Sequence, residues 1–95
     1  MIQVMPGVMP SANWRATMPH VIVKLYPGRS EEQKIKLTDE IVKDVVAIAK
    51  CDKKSVSVAI QEIEKKDWAE KVYKPDILNN RDSLYKEPGY NPFED

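Results

Sequence analysis

Between Glu31 and Lys50 the apolar residues recur at helical spacing, and an alternating segment lies on either side. That order leaves few folds open. At 100° per residue, Ile35, Leu37, Ile41, Val42, Val45, Val46, Ile48 and Ala49 fall on one half of the cylinder, and Lys36, Asp39, Glu40, Lys43 and Asp44 on the other. Ser30-Glu31-Glu32-Gln33 fits a capping box, with Ser30 capping the helix and Gln33 reaching back. Glu32 to Lys36 and Asp39 to Lys43 are oriented as i,i+4 pairs on the wet face. Upstream, His20 to Tyr26 places Val21, Val23 and Leu25 on one strand face and Ile22, Lys24 and Tyr26 on the other, ending at the turn Pro27-Gly28. Downstream, after the polar link Cys51 to Lys54, Ser55 to Ile63 alternates with Val56, Val58 and Ile60 on one face. Strand, long helix and strand with short links predict a βαβ unit with parallel strands and a right-handed crossover.

Beyond it, Asp67 is expected to cap a short helix holding Trp68, Val72 and Tyr73. Pro75 is expected to open another helix, with Ile77, Leu78, Leu84 and Tyr85 turned inward. Lys86-Glu87-Pro88-Gly89-Tyr90 reads as a turn. The fold class is therefore α/β: parallel strands, one long amphipathic helix and short C-terminal helices. Two strands and one helix cannot bury both faces of a sheet. The uncovered apolar surface and strand edges predict a homo-oligomer.

Fifteen basic side chains against fifteen acidic ones leave no basic surplus for nucleic acid or an anionic membrane. One cysteine, Cys51, permits no internal disulfide, and no apolar run is long enough to span a membrane. A soluble cytoplasmic protein is the expectation. The chain up to Thr17 lacks periodicity and the features of a signal peptide. Residues 1–18 read as an extension, a leader or an over-called start, and residues 19–95 as the domain. Of three Met-Pro pairs, only Met18-Pro19 is followed by a strand. If Met18 is the initiator and is removed, Pro19 becomes a secondary amine with a lone pair, able to act as a base. Within a chain, the same nitrogen is an inert amide without a hydrogen.

From Pro19 onward the chain resembles the 4-oxalocrotonate tautomerase superfamily. The match rests on four features: Met-Pro opening the first strand; Gly28-Arg29-Ser30-x-Glu32-Gln33-Lys34 entering the helix; Ser55-Val56-Ser57-Val58-Ala59-Ile60-Gln61-Glu62 as the second strand; and Trp68 shortly after it. The longer C-terminal part, with Lys86-Glu87-Pro88-Gly89-Tyr90 near its end, is most similar to the PptA-like bacterial branch. The resemblance implies a cofactor-independent and metal-free isomerase for small enol or 2-oxo acid substrates, with Pro19 as general base, and a homodimer rather than a hexamer.

A free α-amino group titrates near about 8, and an apolar pocket or a nearby cation lowers that value toward the range suited to a base. Arg29, ten residues after Pro19, matches the family's carboxylate-binding arginine, whose planar fork pairs bidentately with a carboxylate. A seven-residue strand spans roughly 23 Å, so Arg29 is expected to serve a neighbouring subunit's site rather than its own. Trp68 falls where the family places an aromatic pocket wall, and also where an indole could simply pack a helix onto the sheet. Ser57 stands where the hexameric enzymes carry a second arginine. That departure favours a monocarboxylic enol of the phenylenolpyruvate type over a diacid. His20 beside Pro19, Cys51 at the helix end, and the pairs Lys53-Lys54 and Lys65-Lys66 read as structural or solvated. If the native chain instead begins at Met1, Pro19 is internal and the fold would serve as a non-catalytic oligomeric or binding domain.

Overall fold

The computed structural model describes residues 17–94; the expected extension, apart from Thr17 and Met18, lies outside the described residues. The elements that position the site are strand β1 (His20–Leu25), helix α1 (Glu31–Ala49) and strand β2 (Ser57–Glu62), with β1 and β2 paired in a two-stranded sheet. Ser57 N–H donates to the Pro19 carbonyl at 3.1 Å and Ile63 N–H to the Leu25 carbonyl at 2.9 Å. The same offset at both ends of the ladder marks a parallel pair in one register. It sets His20 beside Ser57. The predicted βαβ unit is the fold.

Two compact units divide the described residues, one holding 17–23 and Arg29–Ile60, the other Lys24–Gly28 and 61–94. In the first, Ser30 sits at an extended φ of −71° and its hydroxyl accepts from Gln33 N–H at 3.0 Å, while Gln33 Oε1 accepts from Ser30 N–H at 2.8 Å. The capping box forms as the sequence predicts. The helix ends at Lys50, which turns left-handed (φ 60°, ψ 58°). Lys43 bonds Glu40, three residues back at 3.3 Å, where the sequence pattern paired it with Asp39. Ile35 and Thr38 of α1 share a shallow cleft with Val58 and Ile60 of β2, so the helix covers that face of the sheet.

The cover is partial. No residue of α1 is buried, and Ile35 is 55% and Ile48 78% exposed. Ile22, which the strand alternation turns to the other face, is 48% exposed. The strand β2 begins at Ser57, later than the alternation suggested, because Asp52 O accepts both the N–H (3.0 Å) and the hydroxyl (2.8 Å) of Ser55. Those bonds hold Lys53–Ser55 in a tight turn. Cys51 is buried, its thiol 3.9 Å from the Val45 carbonyl.

The second unit corrects three expectations. Instead of two helices meeting at Pro75, one π-helix runs Ala69–Ile77 with Pro75 inside it. Proline crowds the carbonyl four residues back, and a wider turn relieves that crowding. The Leu78 N–H is accordingly shared between Lys74 O and Tyr73 O. Asp67 does not cap this helix. It already lies in the helical turn Lys65–Asp67, with its N–H on Glu64 O, and its carboxylate pairs with Lys66 at 3.4 Å and Lys71 at 3.7 Å. An N-cap needs an extended backbone; Trp68 at the start of the helix is helical and carries no side-chain cap. Of the residues expected inward, Ile77 and Leu84 are half-buried, whereas Leu78 is exposed and Tyr85 is fully so. The buried anchors of this unit are Val72 and Tyr73.

Candidate active site

Pro19 stands at the head of β1, half-buried, with its carbonyl held in the ladder by Ser57 N–H. That main-chain bond fixes its place at the edge of the ladder. The chain reaches it through Met18, which is 68% exposed and sits at a positive φ of 54°. A non-glycine residue in that region is unfavourable by about 1–2 kcal/mol, and a following proline restricts it further. The junction is a strained one. One position along, His20 Nδ1 lies 2.6 Å from Ser57 Oγ, and the hydroxyl donates when Nδ1 is unprotonated. The sequence alone marks His20 as structural and Ser57 only for the arginine it replaces. Their pairing follows from the register, which no single strand reveals.

Arg29 is set by a turn and a cap. Gly28, at φ +125°, occupies a conformation that L side chains rarely adopt, and Ser30 starts α1 directly after. Between them Arg29 is exposed, and among the described residues its guanidinium forms no hydrogen bond or ion pair. An unpaired guanidinium beside a helix start keeps its donors available for an anion. Pro19 and Arg29 lie at opposite ends of β1, about 20 Å of extended chain for its six residues. One protomer does not bring them together.

Trp68, in the second unit, is half-buried and doubly held. Its Nε1–H donates to Tyr90 Oη at 3.0 Å, and the Tyr26 ring meets it edge-to-face with centroids 5.1 Å apart. Tyr90 carries no such signal in the sequence, because a turn-rich tail gives no periodicity from which a ring contact could be inferred. In the same unit Lys24 Nζ pairs with Asp76 Oδ2 at 2.5 Å, tying the end of β1 to the π-helix. Among the described residues no group of three or more His, Cys, Asp or Glu side chains could hold a metal ion, and no helix is long and apolar enough to cross a membrane.

A parallel βαβ protomer with proline at the head of its first strand and arginine before its helix defines a class, and comparison with known proteins gives that class a name. The family model for tautomerase enzymes matches residues 19–72. A Xylella fastidiosa (strain 9a5c) protein bearing the name "Probable tautomerase" is 40% identical over 73 residues, covering 77% of this chain and 89% of its own. Tautomerase PptA of Cronobacter sakazakii is 35% identical over 74 residues, covering 77% of this chain and 97% of its own. The crystal structure of YwhB, a homologue of 4-oxalocrotonate tautomerase, is 32% identical with a TM-score of 0.49, over 50% of this chain and 77% of that one. The chain belongs to the tautomerase family, on its PptA-like side, and is an enzyme of that type.

Proposed function

We propose that this tautomerase ketonises 2-hydroxy-alkenoates of the phenylenolpyruvate type, with Pro19 as an amino-terminal base, Arg29 on the substrate carboxylate and Trp68 as an apolar wall. The observation that carries the reading is the position of Pro19, at the head of β1 and at the first residue of the family match, with its carbonyl bonded to Ser57. The neutral proline nitrogen takes the proton of the enol hydroxyl. The oxygen–carbon bond becomes the carbonyl as the electron pair of the carbon–carbon double bond takes a proton back from the prolinium at C3. Substrate and product are isomers, so protons and electrons balance without a cofactor or a covalent intermediate. Ser57, in place of a second cation, suits a substrate with one carboxylate. Cytoplasmic location goes with this reading.

The reading includes a processed chain that starts at Pro19, with residues 1–18 as a leader or over-called start. The strained φ of Met18 supports it, since removing Met18 relieves that strain. It also includes a homodimer. The exposed apolar residues of α1 and Ile22 on the open sheet face suit a second copy, and the partner's arginine would complete each site, because β1 separates Pro19 from the Arg29 of its own chain. The test is the decay of enol absorbance with phenylenolpyruvate, comparing protein that begins at Pro19 with the 95-residue chain. Acceleration by the trimmed form alone is expected, and its loss in a trimmed Pro19→Ala variant. Equal rates in a chain proven to retain Met18 would remove Pro19 as the base.

A further inference from the structure

Trp68 is the one pocket residue proposed above whose side chain is held on two sides, and the second of those contacts comes from the C-terminal tail. We propose that Tyr90 is a positioning residue for substrate: its hydroxyl fixes the plane of the Trp68 indole against a planar aryl or diene enol. The inference rests on the reading of Trp68 as a pocket wall. The torsion that turns an indole about its bond to Cβ is broad, and an edge-to-face ring contact is worth only about 0.5–1.5 kcal/mol. The contact with Tyr26 alone therefore leaves the indole free to rock. The bond from Nε1 to Tyr90 Oη, at 3.0 Å, picks one edge of the ring and removes that freedom.

Tyr90 can do this because it is itself anchored. Its ring lies 5.5 Å from that of Tyr73, which is 2% exposed on the π-helix, and Phe93 packs on the same ring at 5.9 Å. Phe93 N–H donates to Asn91 Oδ1 at 2.9 Å, closing the turn that carries the tail past Tyr73. Five rings thus follow one another from Tyr26 through Trp68, Tyr90 and Tyr73 to Phe93. The Tyr90 ring would pack on Tyr73 equally well as phenylalanine. The hydrogen bond to the indole is made by its oxygen, so that bond can be removed while the packing on Tyr73 stays.

The chain has two tryptophans, Trp14 and Trp68, so a Trp14→Phe background makes the indole signal that of Trp68. In that full-length background, Tyr90→Phe is expected to flatten the indole bands of the near-ultraviolet circular dichroism. In whichever form of the chain is active, the same substitution is expected to raise KM for phenylenolpyruvate about three- to tenfold, the equivalent of one net hydrogen bond, with kcat held within about twofold. Tyr85→Phe, at a fully exposed ring, is the control and changes neither. Unchanged dichroism and KM, or a lower melting temperature with KM unchanged, would overturn the proposal by leaving Tyr90 a structural strut. Hydrogen exchange of the Trp68 indole N–H in the unsubstituted protein needs no variant: slow exchange is expected, and exchange at the free-indole rate would also overturn it. Should the wild-type chain and its trimmed form both lack activity on the enol, the proposed function falls, while exchange and dichroism still decide whether Tyr90 holds Trp68.

Discussion

Replacing Ser30 by alanine removes one hydrogen bond from the start of α1 and leaves its packing untouched. The hydroxyl accepts from Gln33 N–H at 3.0 Å, and the returning bond from Ser30 N–H to Gln33 Oε1 is 2.8 Å. Both lie at an exposed helix start, so water can replace part of the lost bonding. A cap of this type contributes typically about 1 kcal/mol within a range of 0.5–2. For a domain of this size 1 kcal/mol moves the melting temperature by about 4–8 °C. Ser30→Ala is therefore expected to lower it by about that amount. Ser30→Gly should lower it by a small fraction of this, because glycine at a cap loses only a few tenths of a kcal/mol. The assay is thermal unfolding followed by far-ultraviolet circular dichroism, at one fixed protein concentration because subunit association shifts the midpoint. Since Arg29 precedes the cap directly, Ser30→Ala should also raise KM while leaving kcat nearly unchanged. An alanine variant melting within a degree of wild type would refute the claim that the side-chain bond holds the helix start.

Further expected outcomes concern this turn, the tail and the two proposed site residues. Gly28→Ala is expected to destabilise by about 1–3 kcal/mol through backbone strain alone, because a Cβ there meets no atom within 4 Å yet φ is +125°; Gly89→Ala, in equally open space, should unfold in urea within about 0.5 kcal/mol of wild type. Arg29→Ala should lower kcat/KM about ten- to a hundredfold, the range of a charge-assisted hydrogen bond, with Arg29→Lys recovering only part because it lacks the bidentate fork. Mixing Pro19→Ala and Arg29→Ala chains should restore some activity, and none would be regained if each site used its own arginine.

The helix was legible almost to the residue, because Ser30 and Gln33 announce a start that local bonds alone can form and the apolar half-cylinder runs unbroken to Ala49. The strands were legible from their alternation, and the parallel pairing from the links between them. Pro19, Arg29 and Trp68 were legible as residues of interest from the motifs around them. The features that the sequence concealed depend on competition between partners. Ser55 left the strand because a carbonyl three residues back captured its N–H ahead of the ladder. Asp67 had lysines on two sides, so its carboxylate went to them rather than to backbone amides. Pro75 was read as a helix start, yet a helix that widens to the π form can hold it inside. The tie between Trp68 and Tyr90 joins residues far apart in the chain, and neither neighbourhood carries a hint of the other.

The ladder bond at Pro19 has a consequence for how such an enzyme can diversify. Because that proline is oriented by its own carbonyl and the amide of residue 57, any amino acid other than proline at position 57 supplies the same anchor. Arginine, serine or another side chain can stand there while the proline at the head of the strand keeps its place. The head of the strand is thus insulated from mutational drift at that position; with Pro19 as the proposed base, one scaffold could explore new enols without rebuilding it.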